Sequence, residues 1–190
     1  MRANAAPVLF RVLRQVAAHS LLALMPARHR TCSLWDQQAT ATIAPCTTLF
    51  PLMTRITRLE FRAESGSGSR MQWNHRGSGH VQVTVDGPDV FFQEAFTLDN
   101  GLPCQDRKCW HFGEEGIIFR HFREQRFQDI LLLVPDASCI HLVAQAPYAC
   151  PPDLYDGSLS LHADTLELQL RITGTRKDED IRYRYRADPG

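Results

Sequence analysis

The chain has 190 residues, 44% hydrophobic and 22% charged, ordinary values for one soluble globular domain with a core. Its 21 basic and 21 acidic side chains cancel, but unevenly: residues 1–52 carry five arginines against Asp36, which leaves 16 basic and 20 acidic residues in the body. A mildly acidic body speaks against a nucleic-acid or anionic-membrane partner, since each requires a basic face.

In residues 8–25, "VLFRVLRQVAAHSLLALM", Val8, Val12, Leu13, Val16 and Ala17 recur at helical spacing. No run reaches the ~20 apolar residues of a membrane span. Three readings stand side by side: an upstream extension that never packs on the domain (with Met53 as the true start, for instance), a loosely attached helix, or a targeting leader. The expected division is an N-terminal extension over 1–52 and a folded domain over 53–190. Six cysteines, none in C-x-x-C spacing, suit reduced and mostly buried thiols in a cytoplasmic protein.

From Thr54 onward short alternating runs are separated by turn residues, the pattern of an all-β sandwich or barrel. "TRITRLEFRA" and "RMQWN" come first, then Gly77-Ser78-Gly79 as a turn. Val81, Val83 and Val85 share one face before the hairpin signal Asp86-Gly87. "DVFFQEAFTL" closes on Asn100-Gly101; "KCWHF", "IIFRHFR", "QDILLLVP" and "SCIHLVAQ" follow. After the irregular "APYACPPDLYDG" come "SLSLHA" and "TLELQLRIT". In the last strand, "DIRYRYR", Ile181, Tyr183 and Tyr185 alternate with Arg182, Arg184 and Arg186, which places the arginines beside Glu167 and Gln169 for cross-strand pairing. About eleven strands in meander order predict an antiparallel sheet closed into a barrel, because closure removes its edges.

Tyr148-x-Cys150-x-x-Asp153-Leu154-Tyr155, then Gly174-x-Arg176-Lys177-Asp178, then Tyr183-x-Tyr185-Arg186 form a combination that resembles a lipocalin-like (calycin-type) β-barrel family known as a domain of unknown function. The likeness spans about residues 53–188. This chain has Tyr148 where that family tends to have His, and Thr175 where it tends to have Pro. The resemblance implies a lipocalin-like barrel and no established activity, catalytic residue, metal or cofactor.

Glu94 shares strand parity with Val90, Phe92, Phe96 and Leu98 and is expected to point inward. A buried carboxylate is costly unless paired or protonated, so Glu94 is read as a ligand anchor or a raised-pKa acid/base, with Arg120 or Arg123 as the available partner. An unpaired, ligand-facing Glu94 is slightly favoured. His111, His121 and His141 fall on successive strands and would form a metal site only if the register brought them together. The loop with Asp153 and Tyr155 is expected to close one barrel end, with Lys177 pairing there. Tyr183, Tyr185 and Trp110 are read as large interior side chains. The candidate ligand-binding set is therefore Glu94, Trp110, Arg120, His121, Asp153, Tyr155, Lys177, Tyr183 and Tyr185. Three functions follow: binding of a small apolar or amphipathic molecule, catalysis on a small aromatic or carboxylic substrate, or a structural module with a filled barrel.

Overall fold

A computed structural model describes residues 48–136 and 141–188. The readings of residues 1–47 lie outside the described residues. The chain forms a six-residue helix α1 (48–53) and eleven strands: β1 (Ile56–Ser65), β2 (His75–Asp86), β3 (Asp89–Leu98), β4 (Pro103–Phe112), β5 (Ile117–Arg123), β6 (Arg126–Pro135), β7 (His141–Ala144), β8 (Tyr148–Cys150), β9 (Asp153–His162), β10 (Thr165–Gly174) and β11 (Asp178–Ala187). Among the described residues no helix is long and apolar enough to cross a membrane.

Strands β1 to β7 pair in sequence, then β9, β10 and β11 return to β1, so ten antiparallel strands close a barrel. Strand β8 lies outside this ring and pairs only with β9. One edge of β9 is fully taken by β10, so β7 and β8 share the other, with residues 145–147 interrupting them. Strand β6 meets β7 only through Leu133–Pro135. The part of β6 before Leu132 thus runs beside a break in the sheet.

The expected all-β barrel is present, and so is the number of strands, but two members trade places. Arg70–Asn74 is a loop that buries Trp73, and Tyr148–Cys150, expected as irregular, is β8. The expected Gly77-Ser78-Gly79 turn lies inside β2. Its two glycines face inward beneath Phe61 and Phe96, and a Cβ on Gly79 would collide with the Ala95 carbonyl oxygen. Glycine serves here for close approach of two strands, not for a turn. The Asp86–Asp89 and Leu98–Leu102 connections are turns as expected, with Gly87 and Gly101 at φ 55° and 81°.

Inward residues fill the barrel. Phe61 packs edge-on against Tyr183 at 5.2 Å between ring centroids, and Phe92 against Tyr185 at 5.2 Å. A register shift between Phe119 and Arg120 makes Ile130 an extra residue in β6, which lets Ile130 and Leu131 both be buried. One end of the barrel is covered by α1: Leu49, Leu52 and Met53 are buried, and Phe50 meets Phe112 at 5.0 Å. The boundary expected at Met53 thus falls at the end of a helix whose Leu49 and Leu52 already belong to the core. The charged stretch before β11 is a turn, and the arginines of β11 pair outside the barrel with Glu167, Asp180 and Glu60.

Candidate functional site

The inner faces of β3, β4, β5 and β11 carry a line of ionisable groups through the core. Cross-strand register sets Glu94 opposite Asp106 and Lys108 opposite His121. All four side chains are buried. The Lys108 ammonium donates to Glu94 and, at 2.9 Å, to Asp106 Oδ2. The Tyr185 hydroxyl donates to Glu94 Oε1 at 2.8 Å. His121 Nε2 lies 2.5 Å from Asp106 Oδ1, and Arg123 Nε donates to His121 Nδ1 at 3.0 Å. An arginine can only donate, so His121 Nδ1 is an acceptor and its proton sits on Nε2, facing Asp106. Lys108 Nζ also stands 3.8 Å from the Tyr183 ring centre, a buried cation–π contact.

Two carboxylates share one ammonium, and they divide the proton unequally. Burial raises the Glu94 pKa, and the pull of Lys108 does not offset burial and the neighbouring Asp106 charge. Burial also opposes the Asp106 charge, but His121 and Lys108 outweigh it and hold that carboxyl well below the usual range. Lys108 is pushed upward because Asp106 and Glu94 together overcome its desolvation. Burial drives both Tyr183 and Tyr185 well above the usual phenol range.

One end of this line reaches a void of about 40 Å³ lined by Asp106, Lys108, His121 and Arg123 together with Phe119, Ile130, Leu170, Ile172, Ile181 and Tyr183. Trp73 and Tyr155 complete its lining, close to the break between β6 and β8. At ~10–15 Å³ per water centre this is room for about three waters. Burial pushes the Tyr155 hydroxyl up to about 12 against the opposing charge of Arg123. A far larger concavity, about 1080 Å³, runs along β1 to β4 and β11 and reaches the inward residues Leu59, Gly79, Phe96 and Cys104. It is open to solvent, and its Arg58, Arg184 and Arg186 are already paired with Asp188, Glu167 and Glu60. The interior void, which borders the buried ionisable line, is the candidate site.

The structure separates the expected site residues into three groups. His121, Tyr155 and Tyr183 line the void. Glu94 and Tyr185 point inward as parity requires, but they lie behind Lys108 and do not line it. The expectation of an unpaired, ligand-facing Glu94 is corrected: Lys108 and Tyr185 occupy its oxygens. Trp110 is fully buried between Phe92 and Phe119, with its indole N–H unpartnered, and is also outside the void lining. Arg120 is on the outer wall, where it bonds Asp129 at 2.7 Å and Asp89 at 3.3 Å, because it shares parity with Ile118 rather than His121. It therefore cannot reach Glu94, and Arg123, although inward, bonds His121 instead. Asp153, the first residue of β9, and Lys177, just before β11, do pair, at 2.5 Å.

The three strand histidines do not meet. Register turns His121 inward and His111 outward to Asp89 at 2.7 Å, while His141 lies beside His162 at 5.9 Å. Among the described residues Cys104, Cys109 and Cys150 form no disulfide. Burial raises Cys109 to about 11, opposite to what a nucleophile needs.

Asp106, Lys108 and Trp73 were absent from the sequence-derived set. "LPCQDRK" reads as a polar connection, yet Cys104, Asp106, Lys108 and Trp110 keep one parity and all face inward. A usable signal was present. The chain has two lysines, Lys108 and Lys177, and an inward Glu94 requires a cation.

The family model of DUF6314, a family of unknown function, matches residues 60–187. No curated protein matches the chain. Among solved structures, a de novo designed fluorescence-activating β-barrel aligns at TM-score 0.37 and 12% identity, over 70% of this chain and 92% of the designed one.

Proposed function

The chain belongs to DUF6314, a family of unknown function, and we propose that its barrel binds a small amphipathic molecule at the end where β6 and β8 part. One observation supports this above the rest: a largely apolar void in the core, lined by Phe119, Ile130 and Ile172, also borders the ionisable side chains Asp106, Lys108 and His121. Binding sites combine an apolar lining with a few fixed polar groups in this way. The void holds only a few heavy atoms. The remainder of a ligand would lie at the mouth, beside Trp73, Arg123 and Tyr155.

A lipocalin-like assignment and a cytoplasmic location belong to the same proposal; a sequential antiparallel ring and three cysteines outside any disulfide support them. The small volume favours a second reading, a filled barrel with a structural or interaction role. Of the acid/base groups expected in the catalytic reading, Glu94 and Tyr185 do not border the void, while Tyr183 does. The test is an NMR screen of the ¹⁵N-labelled protein against small amphipathic fragments. Binding at the site moves the amides of Trp73, Tyr155 and Tyr183 together. Fragments that shift none of these, across the whole panel, would leave the filled-barrel reading.

A further inference from the structure

We infer that the head group taken by this site is a carboxylate, held by the Arg123 guanidinium and the Trp73 indole N–H, with a short apolar tail in the void. This rests on the ligand-binding reading above and specifies its chemistry.

Two donors in need of an acceptor line the same void. Trp73 is 6% exposed and its Nε1 has no hydrogen-bond partner. An indole N–H can only donate, so a buried one left alone calls for an acceptor. Arg123 has no acid partner among the described residues; its Nε is engaged by His121 Nδ1, and its guanidinium also hydrogen-bonds the Tyr155 hydroxyl, 5.5 Å from that ring's centre. It thereby differs from Arg58, Arg120, Arg171, Arg182 and Arg184, each of which has a carboxylate of its own.

The carboxylate and imidazole acceptors at the site are engaged: Asp106 receives His121, Lys108 and the Arg107 backbone N–H, and His121 Nδ1 receives Arg123. The phenol oxygens of Tyr155 and Tyr183 can still accept or donate, but the Trp73 indole and the Arg123 guanidinium can only donate, and a ligand that accepts is the one that serves them. Charge points the same way. Lys108 is engaged by Asp106 and Glu94, whereas Arg123 has no carboxylate partner among the described residues. A guanidinium matches a planar carboxylate in shape as well as sign. The volume of about 40 Å³ restricts the buried tail to a few carbons.

The experiment titrates butyrate and butyramide, equal in size and both able to accept, into the full chain. The readouts are the indole ¹⁵N–¹H signal of Trp73, assigned by Trp73→Phe, and the amide of Tyr155. We expect butyrate to bind about tenfold or more tightly than the amide, the preference being lost in Arg123→Gln and partly kept in Arg123→Lys. Should Arg123→Gln fail to fold, the wild-type acid-to-amide ratio and Arg123→Lys decide. Equal affinities would overturn the carboxylate assignment and leave the ligand-binding reading in place. If neither compound moves these signals while other fragments do, the head-group chemistry is wrong; if no compound of any kind moves them, both readings fall.

Discussion

The outer wall of β11 and the inner wall of β4 use the same chemistry at nearly the same distances. Outside, Arg184 meets Glu167 at 2.6 Å and Arg182 meets Asp180 at 2.9 Å. Inside, Lys108 meets Asp106 at 2.9 Å and His121 meets Asp106 at 2.5 Å. The difference is solvent: the Arg184 side chain is 51% exposed and that of Lys108 is 1%. Geometry alone would rank these pairs as equals. Water screens the first, whereas loss of a partner from the second is felt at full strength. Four substitutions measure how far that contrast holds.

The largest effect belongs to Lys108→Met. The thioether fills most of the same space but leaves Glu94 and Asp106 opposite each other in the core without a cation. We expect a loss of about 3–5 kcal/mol in urea titrations, the usual range for breaking a buried pair from one side. A loss below about 1 kcal/mol would mean that water reaches Lys108 and that the inner wall resembles the outer.

The inner wall was also the harder one to read. Strand parity placed Glu94, Tyr183 and Tyr185 correctly, since alternation with Val90, Phe92 and Ile181 leaves little choice. Asp106 and Lys108 were missed because the polar run before Trp110 hides the start of β4, and burial of a charge is decided by its neighbours on other strands. Arg120 was misplaced for a related reason. The register of β4 against β5, unlike its strand assignment, is not a local property. Gly79 and Ile130 show the same limit: a close strand approach and a bulge depend on the closed barrel and have no local signal. The pairing of Arg184 with Glu167 was legible because consecutive strands joined by a short turn fix their own register.

Tyr183→Ala removes a buried ring from the inner face of β11, where it contacts Phe61 and carries Lys108 over its face. The expected cost is about 3–5 kcal/mol, somewhat less if the void beside it lets the site collapse. Equal costs for Tyr183→Ala and Arg184→Ala would invert the register of β11.

Glu94→Gln tests whether the two inner carboxylates are alike. Removing one carboxyl charge leaves Lys108 balanced by Asp106, so we expect a change within about 1 kcal/mol at pH 7. The sign follows from the direction of the shift. Glu94 has a folded pKa above its ordinary 4.5, so the fold holds its proton more readily than the unfolded chain does. That advantage is present at low pH and is lost as pH rises from about 4.5 through the raised value. Gln has no such dependence. The variant should therefore gain stability relative to wild type between pH 4.5 and 7. Asp106 behaves oppositely: its folded pKa is lowered, so its contribution is present above its ordinary 3.8 and is lost as pH falls. An Asp106→Asn comparison that tracked Glu94→Gln with pH would show that the shared proton has been assigned to the wrong carboxylate.

Arg184→Ala carries the smallest expected effect. Its carboxylate partner Glu167 raises the Arg184 pKa, yet half of the arginine side chain is in water. Exposed pairs of this kind contribute little, so a cost below about 0.5 kcal/mol is expected at ~0.1 M salt. At ~1 M salt the Debye length falls to about 3 Å and the cost should vanish, leaving at most the packing of the aliphatic stem. Lys108→Met should keep most of its cost at the same salt, because ions do not enter the core to screen it. Measured as a pair across salt, the two variants separate distance from dielectric more cleanly than either does alone. Parallel salt curves would refute a division between the walls of the barrel, and with it the view that Arg123, half-buried at the mouth, holds a charge strong enough to select a carboxylate.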